Sequence, residues 1–378
     1  MTTSEIRRAG SVAIVGAGPA GLTLARLLQM RGVSVSVYER DASASARPQG
    51  GSLDLRPSLA QRAIKAARLW QVFERASRSE AADFKLLDAS GKPIPDGGGE
   101  THEDAGPEID RGELRQLLVD SLQPGTIIWN SLVTNADRDA SGRWRLEFEN
   151  HPSVTADLIV GADGIGSKVR ERLTSVRPSY TGHTMLAANI RRDLWRNSAV
   201  SDLLGEGSMM IAGDKRTIFV QRCARNVILL YFSMIVAEDW PARESFDISD
   251  TAAVLTAVRQ AYHDISPDLL AMLTELDGGF QRWPLSIMPP DYGWETQPGL
   301  TMLGDAAHVM PPFTGKGVNL ALLDALELAD ALTADSPTDL ASAIGAFEAG
   351  MQARTREEIG ACLAVGRSYY GINMEFGA

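Results

Sequence analysis

The residues of this chain best suited to chemistry are carboxylates placed beside glycine-rich turns. Three such segments occur: GAGPAG at residues 16–21, followed later by Glu39; GADG at residues 161–164; and GDAAHVMPPFTGKGVNL at residues 304–320. Glycine lets the backbone approach a ligand closely, and a carboxylate accepts hydrogen bonds from hydroxyl groups. The sequence shows no catalytic triad, metal-ligand cluster or paired-carboxylate signature. The pattern therefore favours binding of a ligand that carries phosphate and hydroxyl groups.

The first segment has the form GxGxxG, with Gly16, Gly18 and Gly21 between a predicted strand and a predicted helix. In such a fingerprint the glycines allow a tight turn, close approach of a pyrophosphate and close packing of the helix on the strand. Glu39 stands at the end of the next strand, eighteen residues after Gly21, where the fingerprint expects a ribose-binding acid at about twenty. A glycine-rich turn without a ligand is the alternative. Strand, helix and acid in register indicate a dinucleotide, either FAD or NAD.

The second segment, DLIVGADGIGSKVR at residues 157–170, reads as a buried strand that ends in glycine and Asp163. An aspartate before a helix often caps the free N–H groups of its first turn. Capping and ligand binding are both open for Asp163 at this point.

The third segment places Gly304 and Asp305 at the end of another predicted strand. A second carboxylate then lies at the sheet edge where ligands bind in doubly wound folds. Two prolines fix the path that follows, and Gly315 and Gly317 leave backbone exposed to a flat ligand. The next helix begins near residue 318 and directs its positive end at the same place. That end suits a group that becomes anionic during turnover, such as a reduced flavin.

These segments must be positioned by strands and helices. Residues 11–15 and 33–40 are predicted strands, and the helix predicted between them at 21–30 ends at Gly32. Together these three elements form a βαβ unit. From about 180 to 285 the chain has the pattern of a mostly antiparallel sheet. The other predicted elements are a helix at 113–122, a strand after it, strands at 143–150 and 154–160, and helices at 250–263, 267–275, 319–334 and 338–369.

Composition limits the partners. The 378 residues carry a formal net charge of −11, with a pI of about 5.1, which argues against nucleic acid or an anionic membrane as the main partner. The two cysteines, Cys223 and Cys362, lack the spacing of a zinc site or a disulfide framework. The N-terminus has no apolar signal segment, and no run reaches the length of a membrane span. We expect a soluble, cytoplasmic protein.

In their order and spacing, the three segments resemble those of class A flavoprotein monooxygenases with the para-hydroxybenzoate hydroxylase fold, over almost the whole chain. The resemblance implies FAD as the cofactor. GxGxxG and the acid would bind its adenosine half, the DG motif would serve FAD and NADPH, and the GD motif would contact the ribityl chain. The cofactor-binding residues so implied are Gly16, Gly18, Ala20, Gly21, Glu39, Arg40, Arg47, Asp54, Arg111, Asp163, Gly304, Asp305, Pro312, Gly315, Gly317, Val318 and Asn319.

Within that family, the segments VSVYERD, GGSLDL, PEIDRGELR and GDAAHVMPPF are similar to those of the tetracycline-inactivating monooxygenases. That similarity implies flavin contacts for Arg40, Asp54 and Arg111, and an NADPH-related role for Arg47. Exposure to solvent is the alternative for each arginine. Capping of a helix at 58–68 is the alternative for Asp54.

Two residues of the third segment have competing interpretations. Lys316 stands where many relatives have glutamine, so it either adds positive charge near the flavin or points into solvent. His308 invites a catalytic role, but we expect it to orient the loop through a hydrogen bond.

The likeness is weaker on the substrate side. Ala187 and Ser208 align with a glutamine and an arginine that hold the polar edge of tetracycline in those relatives, and neither can replace those hydrogen bonds. Their small size predicts a roomier, more apolar pocket. The candidate substrate-binding residues are Met185, Ala187, Ser208, Met210, Phe219, Tyr231 and Phe313, with Met209 and Met288 as further candidates. As a set they also suit the core of a sheet packed by helices.

The predicted fold is α/β. It has a Rossmann-like FAD-binding domain, an inserted, mostly antiparallel β-sheet substrate domain, and a C-terminal helix that packs across both. The respective residues are 1–80, 103–178 and 285–335 for the first domain, 81–102 and 179–284 for the second, and 336–378 for the helix.

The resemblance implies an FAD-dependent, NAD(P)H-consuming monooxygenase. It would hydroxylate a hydrophobic polycyclic or phenolic compound through a C4a-hydroperoxyflavin, with a tetracycline-type antibiotic as one candidate. O₂ and NADPH, or NADH, would be co-substrates, and a monomer is expected from the close relatives. No metal, nucleic-acid or membrane partner is expected. The alternatives are a flavin-dependent reductase or oxidase of another class and, ranked last, a non-catalytic binding protein.

Overall fold

The fold is known from a computed structural model, which describes residues 2–46, 50–79, 83–94, 104–191, 193, 195, 198–225, 227–335 and 338–376. In these residues the strands are β1 (Ser11–Val15), β2 (Ser34–Tyr38), β3 (Ser52–Asp54), β4 (Phe84–Asp88), β5 (Glu108–Asp110), β6 (Ile127–Ile128), β7 (Val133–Arg138), β8 (Trp144–Phe148), β9 (Val154–Ala156), β10 (Leu158–Gly161), β11 (Ser179–Arg191), β12 (Ser208–Ala212), β13 (Thr217–Arg222), β14 (Val227–Ile235), β15 (Gln281–Ile287) and β16 (Leu300–Met302).

The α-helices of the same residues are α1 (Thr3–Ala9), α2 (Pro19–Met30), α3 (Ala60–Ala66), α4 (Trp70–Ala76), α5 (Arg111–Asp120), α6 (Arg170–Leu173), α7 (Ser198–Leu204), α8 (Thr251–Ala261), α9 (Pro267–Leu270), α10 (Asp305–His308), α11 (Gly317–Thr333) and α12 (Leu340–Val365). A π-helical turn at Gly366–Tyr370 follows α12 directly.

One sheet is entirely parallel, with the strand order β16–β10–β1–β2–β6 among the described residues. The run SVAIV in β1 is buried from Val12 onward, which suits a strand covered on both faces. Helices α2, α3 and α11 pack against one another, and their leucines and alanines join the core of this sheet. The predicted Rossmann-like βαβ unit is confirmed as β1–α2–β2.

A second sheet has the order β15–β11–β14–β13–β12–β4 in the described part of the chain, and only its β12–β4 pair is parallel. The predicted mostly antiparallel sheet is therefore confirmed. Its strands alternate, so that Leu186, Ile218 and Phe232 enter one core on the outer face. Met185, Ala187 and other residues of opposite parity point to the other face.

One predicted strand proves to be two. The segment expected at 154–160 divides into β9, which pairs with β8, and β10, which pairs with β1 and β16. Asp157 stands between them, and its Oδ2 accepts hydrogen bonds at 2.9 Å from the backbone N and the hydroxyl of Ser11. This contact with the start of β1 marks the point where the chain passes from one sheet to the other.

Within the described residues, no helix is long and apolar enough to cross a membrane. The same residues contain no group of histidine, cysteine and carboxylate side chains arranged to hold a metal ion.

Candidate active site

The three glycine-rich segments meet at one edge of the parallel sheet. Val15 at the end of β1 pairs with Gly161 at the end of β10, and Gly161 pairs with Met302 at the end of β16. The segments that follow these strands therefore leave the sheet side by side. The structure thus brings together motifs that are more than a hundred residues apart in the chain.

The GxGxxG turn is close-packed at two glycines and open at the third. An added Cβ on Gly16, whose φ is +105°, would lie 2.3 Å from the carbonyl oxygen of Ala162. On Gly21 it would lie 2.2 Å from the carbonyl oxygen of Gly16. On Gly18 it would meet nothing within 4 Å. Gly18 is also the N-cap of α2 and gives no side-chain cap. The first turn of α2 therefore presents free N–H groups to open space, as an anionic diphosphate requires.

Glu39 lies beside this turn, where the fingerprint places its acid. Its Oε2 accepts a hydrogen bond from the backbone N of Ala17 at 2.6 Å, and its Oε1 accepts one from that of Asp41 at 2.9 Å. Arg115, which the sequence reasoning missed, donates from Nε to the carbonyl of Ala17 at 3.0 Å and from Nη2 to Asp41 at 3.1 Å. The carboxylate is thus buried in the framework of the turn, and its contact with ribose stays a prediction.

Asp163 makes a capping contact through one carboxylate oxygen and keeps the other oxygen unpaired. Its Oδ2 accepts a hydrogen bond from the backbone N of Lys168 at 2.8 Å, which is the expected capping contact. Its Oδ1 is buried without a hydrogen-bond partner among the described residues. Burial raises the pKa of this carboxyl group above its ordinary value. An unpaired buried oxygen is unfavourable, and a ligand hydroxyl or N–H group at this position would satisfy it.

Asp305 is the one exposed residue between Leu300 and Val309, a stretch described in full. The preceding Gly304 has φ +59° and ψ −144°, a conformation available essentially to glycine alone. An added Cβ there would lie 3.1 Å from the Cβ of Ala321 and 3.5 Å from that of Ala20. The starts of α2 and α11 therefore converge at this turn, and the Asp305 carboxylate is left accessible beside them.

The loop before α11 keeps its backbone open. It consists of a 3-10 turn at Pro312–Thr314 and then Gly315, whose φ is +68°. An added Cβ on Gly317 would meet nothing within 4 Å. Lys316 is the N-cap of α11 and gives no side-chain cap. Its Nζ lies 3.1 Å from Oε2 of Glu358 on α12, so the side chain is paired and does not point freely into solvent, and added charge near the flavin stays a prediction.

Asn319 holds this loop to the end of β3 and the residues that follow it. Its Oδ1 accepts a hydrogen bond from the backbone N of Arg56 at 2.8 Å. Its Nδ2 donates to the carbonyls of Asp54 at 2.8 Å and Gly315 at 3.2 Å. The side chain is therefore occupied within the protein, which leaves its backbone, with that of Val318, for the predicted cofactor contact.

Asp54 does not cap the helix that follows it. The N-cap of α3 is Leu59, and no side chain caps this helix. Asp54 instead accepts a hydrogen bond from the backbone N of Gly106 at 3.2 Å and faces Arg56 Nε at 3.4 Å. The capping alternative for Asp54 is wrong, and its flavin contact stays a prediction.

The three arginines implied by the resemblance differ in their positions. Arg40 is exposed, immediately after Glu39. Arg111 is half-buried at the first position of α5, where its backbone N donates to the carbonyl of Gly51 at 2.9 Å. Arg47 lies outside the described residues.

A buried charged group lies behind the Gly304 turn. His308 Nε2 is 2.6 Å from Asp324 Oδ2, and Asp324 Oδ1 is 2.9 Å from Arg354 Nη2. The backbone N of Gly304 also donates to Asp324 Oδ2, at 3.2 Å. Burial favours the neutral imidazole, but the Asp324 carboxylate outweighs it and raises the pKa of His308. The predicted hydrogen bond of His308 is present, and it orients the turn through Asp324.

The candidate substrate-binding residues share the inner face of the second sheet. Cross-strand pairing places Ala187 beside Tyr231, Tyr231 beside Phe219, and Phe219 beside Met210. Met185 and Ser208 flank this row on the same face. Phe313 of the loop before α11 packs onto the cluster, together with Trp283 and Tyr370, which the sequence reasoning missed.

Two further candidates lie elsewhere. Met209 points to the outer core of the second sheet, because it has the opposite parity from Met210. Met288 belongs to a separate core beside α12. Neither belongs to the row on the inner face, and both are packed in cores, which is the alternative that the sequence left open for this set.

The C-terminal segment packs on the inner-face cluster of the second sheet. The ring of Tyr370 stacks on that of Phe313 with centroids 3.9 Å apart, and its phenol lies 3.8 Å from Met210 Sδ. His183 Nε2 donates to the Tyr370 carbonyl at 2.7 Å. Ala187 and Tyr370 belong to one packed cluster, and the additional room expected from the small side chain of Ala187 stays a prediction.

Known proteins share both the sequence pattern and the fold. Residues 10–336 match a family described as FAD binding domain. The chain is 32% identical over 377 residues to monooxygenase penA of Penicillium thymicola, covering 87% of this chain and 85% of that protein. It superposes on HpxO of Klebsiella pneumoniae, solved with FAD and uric acid, with a TM-score of 0.78 and 18% identity over 97% of this chain and 90% of that one. It also superposes on tetracycline destructase Tet(51), with a TM-score of 0.70 and 19% identity over 96% of this chain and 91% of that one.

Proposed function

This chain belongs to the FAD binding domain family of class A flavoprotein monooxygenases, and from this premise we propose that it uses NADPH or NADH to hydroxylate a hydrophobic aromatic or polycyclic compound. FAD, when bound, supplies hydride acceptance and oxygen activation. The protein binds and orients the reactants and excludes water.

The cofactor would be held at the edge of the parallel sheet. The open first turn of α2 at Gly18 suits the diphosphate. The unpaired Oδ1 of Asp163 and the exposed carboxylate of Asp305 suit hydroxyl groups. The uncapped start of α11, with the open backbone at Gly317, suits the ring edge that gains negative charge on reduction. These residues fit FAD because they offer free donors and acceptors where a large polar ligand needs them.

The substrate class rests on one observation, the row of Ala187, Tyr231, Phe219 and Met210 opposite Phe313. This row offers aromatic and aliphatic surface, and it carries no charged side chain. Burial raises the pKa of the Tyr231 phenol above its usual range, so the phenol stays protonated at neutral pH and can hydrogen-bond but cannot serve as a base. A flat substrate of low polarity matches such a surface.

We place a tetracycline second among the candidate substrates. The structure of Tet(51) is similar in fold at 19% identity. The side chains of Ala187 and Ser208 are too short for the polar contacts that the tetracycline-inactivating relatives use. A substrate with fewer hydrogen-bonding groups leaves fewer of them unpaired on binding.

The test follows the purified protein, loaded with FAD, as it consumes NADPH or NADH in the presence of a panel of phenols, polycyclic aromatics and tetracyclines. We expect equal amounts of reduced nicotinamide, O₂ and product, with the product heavier by one oxygen atom. Nicotinamide consumption without O₂ uptake would identify a reductase. Consumption of O₂ that yields only peroxide with every compound in the panel would contradict the proposed substrate class.

A further inference from the structure

One row of side chains on α12 reaches the start of α11 and the loop before it. Arg354, Glu358 and Cys362 are spaced four residues apart, so they lie on one face of the helix. Arg354 Nη2 lies 2.9 Å from Asp324 Oδ1, and the Cys362 thiol donates to the carbonyl of Pro311 at 3.4 Å. Glu358 lies between these contacts and meets Lys316. The row therefore connects the C-terminal helix to the loop that the cofactor would face.

The Lys316–Glu358 pair is sheltered from solvent. The two side chains are 22% and 10% exposed, and Lys316 Nζ lies 3.1 Å from Glu358 Oε2. The other oxygen, Oε1, is buried without a hydrogen-bond partner among the described residues. In such surroundings the loss of one partner leaves the charge of the other largely uncompensated. The pair thus controls how much charge stands at the start of α11.

The charge of the Lys316–Glu358 pair matters because the pair lies at the start of α11, beside the loop that the cofactor would face. Lys316 is the N-cap of α11, where the helix itself contributes a positive potential equivalent to about half a charge. The neighbouring cation Arg56 is also paired, with Asp54 Oδ2 at 3.4 Å, and it donates to the carbonyl of Thr314 at 3.0 Å. Both cations at this loop are therefore matched by carboxylates.

We propose that Glu358 is a positioning residue that holds the Lys316 ammonium away from the isoalloxazine ring and thereby sets the reduction potential of the bound flavin. The proposal rests on the placement of FAD in the proposed function. An ammonium group near the ring stabilises the reduced, anionic flavin more than the oxidised form, because opposite charges attract strongly where water is scarce. Pairing with Glu358 cancels most of this effect.

The experiment is a double-mutant cycle with Glu358→Gln, Lys316→Gln and the double variant. The reduction potential of bound FAD is measured by anaerobic titration against a reference dye, and FAD affinity is measured by fluorescence. We expect the potential to rise in Glu358→Gln, where Lys316 loses its partner, and to fall in Lys316→Gln, where a carboxylate is left. The double variant should lie close to the wild type. Glu147→Gln is the matched control, because its pair with Arg145, at 2.8 Å, is about 40% exposed on both sides, and we expect no shift.

Unchanged potentials in both single variants that still bind FAD would overturn the inference and leave the monooxygenase proposal intact. A double variant that keeps the upward shift of Glu358→Gln would overturn it as well, because that shift would then not depend on the Lys316 ammonium. If Glu358→Gln does not fold, Glu358→Asp is the substitute, because it retains the charge on a shorter side chain. We expect a smaller rise in the reduction potential of bound FAD in that variant, and an unchanged potential would also contradict the inference. Failure of the wild-type chain to bind FAD would instead refute the proposed function.

Discussion

His308 Nε2 and Asp324 Oδ2 are 2.6 Å apart in a site where both side chains are buried. The same Asp324 oxygen accepts a hydrogen bond from the backbone N of Gly304. This pair therefore connects α10 to α11 directly beneath the turn that presents Asp305. A charged pair of this kind favours one arrangement of the turn, because any displacement leaves a buried charge without its partner.

We expect Asp324→Asn to lower the free energy of unfolding by about 3 kcal/mol, since His308 and Arg354 would both lose the charge that compensates them. Asp330→Asn is the control on the same helix, because Asp330 is 60% exposed in its pair with Arg31. It should cost less than about 1 kcal/mol. Urea denaturation of both variants measures the difference, and equal losses would contradict the structural role of Asp324.

The raised pKa of His308 makes part of the stability pH-dependent. The contribution of this group is complete below about 6.5, the pKa of an unperturbed histidine, and it is lost as the pH rises through the raised pKa of the folded state. The stability advantage of the wild type over His308→Asn should therefore decline as the pH rises above about 6.5. Unfolding experiments between neutral and alkaline pH test this, and an advantage that stays constant with pH would refute it.

Two glycines of the GxGxxG turn should respond differently to the same change. Gly16→Ala places a Cβ 2.3 Å from a carbonyl oxygen at a positive φ, so we expect a stability loss of about 1–3 kcal/mol. Gly18→Ala meets no protein atom within 4 Å, so thermal stability without FAD should change by no more than about 1 kcal/mol. The added methyl group at Gly18 should nonetheless weaken FAD binding about tenfold, which corresponds to about 1.4 kcal/mol. Unaltered FAD affinity in this variant would place the diphosphate elsewhere.

Phe219 and Val220 are neighbours on β13 and face opposite sides of the sheet. Their variants therefore distinguish a loss of substrate contact from a loss of core packing. Phe219 lies on the inner face between Phe84 and Tyr231, whose ring centroids are 6.5 and 6.2 Å away. Phe219→Ala should lower kcat/KM for an aromatic substrate about tenfold, or about 1.4 kcal/mol. Val220 points to the outer core, so Val220→Ala should lower stability by about 1–3 kcal/mol with little effect on KM. A larger kinetic effect at Val220 than at Phe219 would place the substrate on the other face.

The parts of the protein determined by the sequence alone are local ones. The βαβ unit, the glycine turns and the alternation of the antiparallel strands depend on residues within a few positions of one another, so their pattern predicted them. That Met185, Ala187 and Phe219 share one face follows from the same alternation only once the register of the sheet is given. Backbone preference and spacing suffice for such features.

Tertiary structure alone decided which distant side chains meet. Lys316 finds its partner on α12, and Tyr370 stacks on Phe313 in the cluster that also contains Ala187. Neither outcome is visible in the sequence, because a side chain's partner depends on the packing of elements far apart in the chain. The glycines and carboxylates of the predicted cofactor motifs could be recognised from their order along the chain. The carboxylates and aromatic rings that contact them could not, because those contacts form only when the helices and the two sheets pack together.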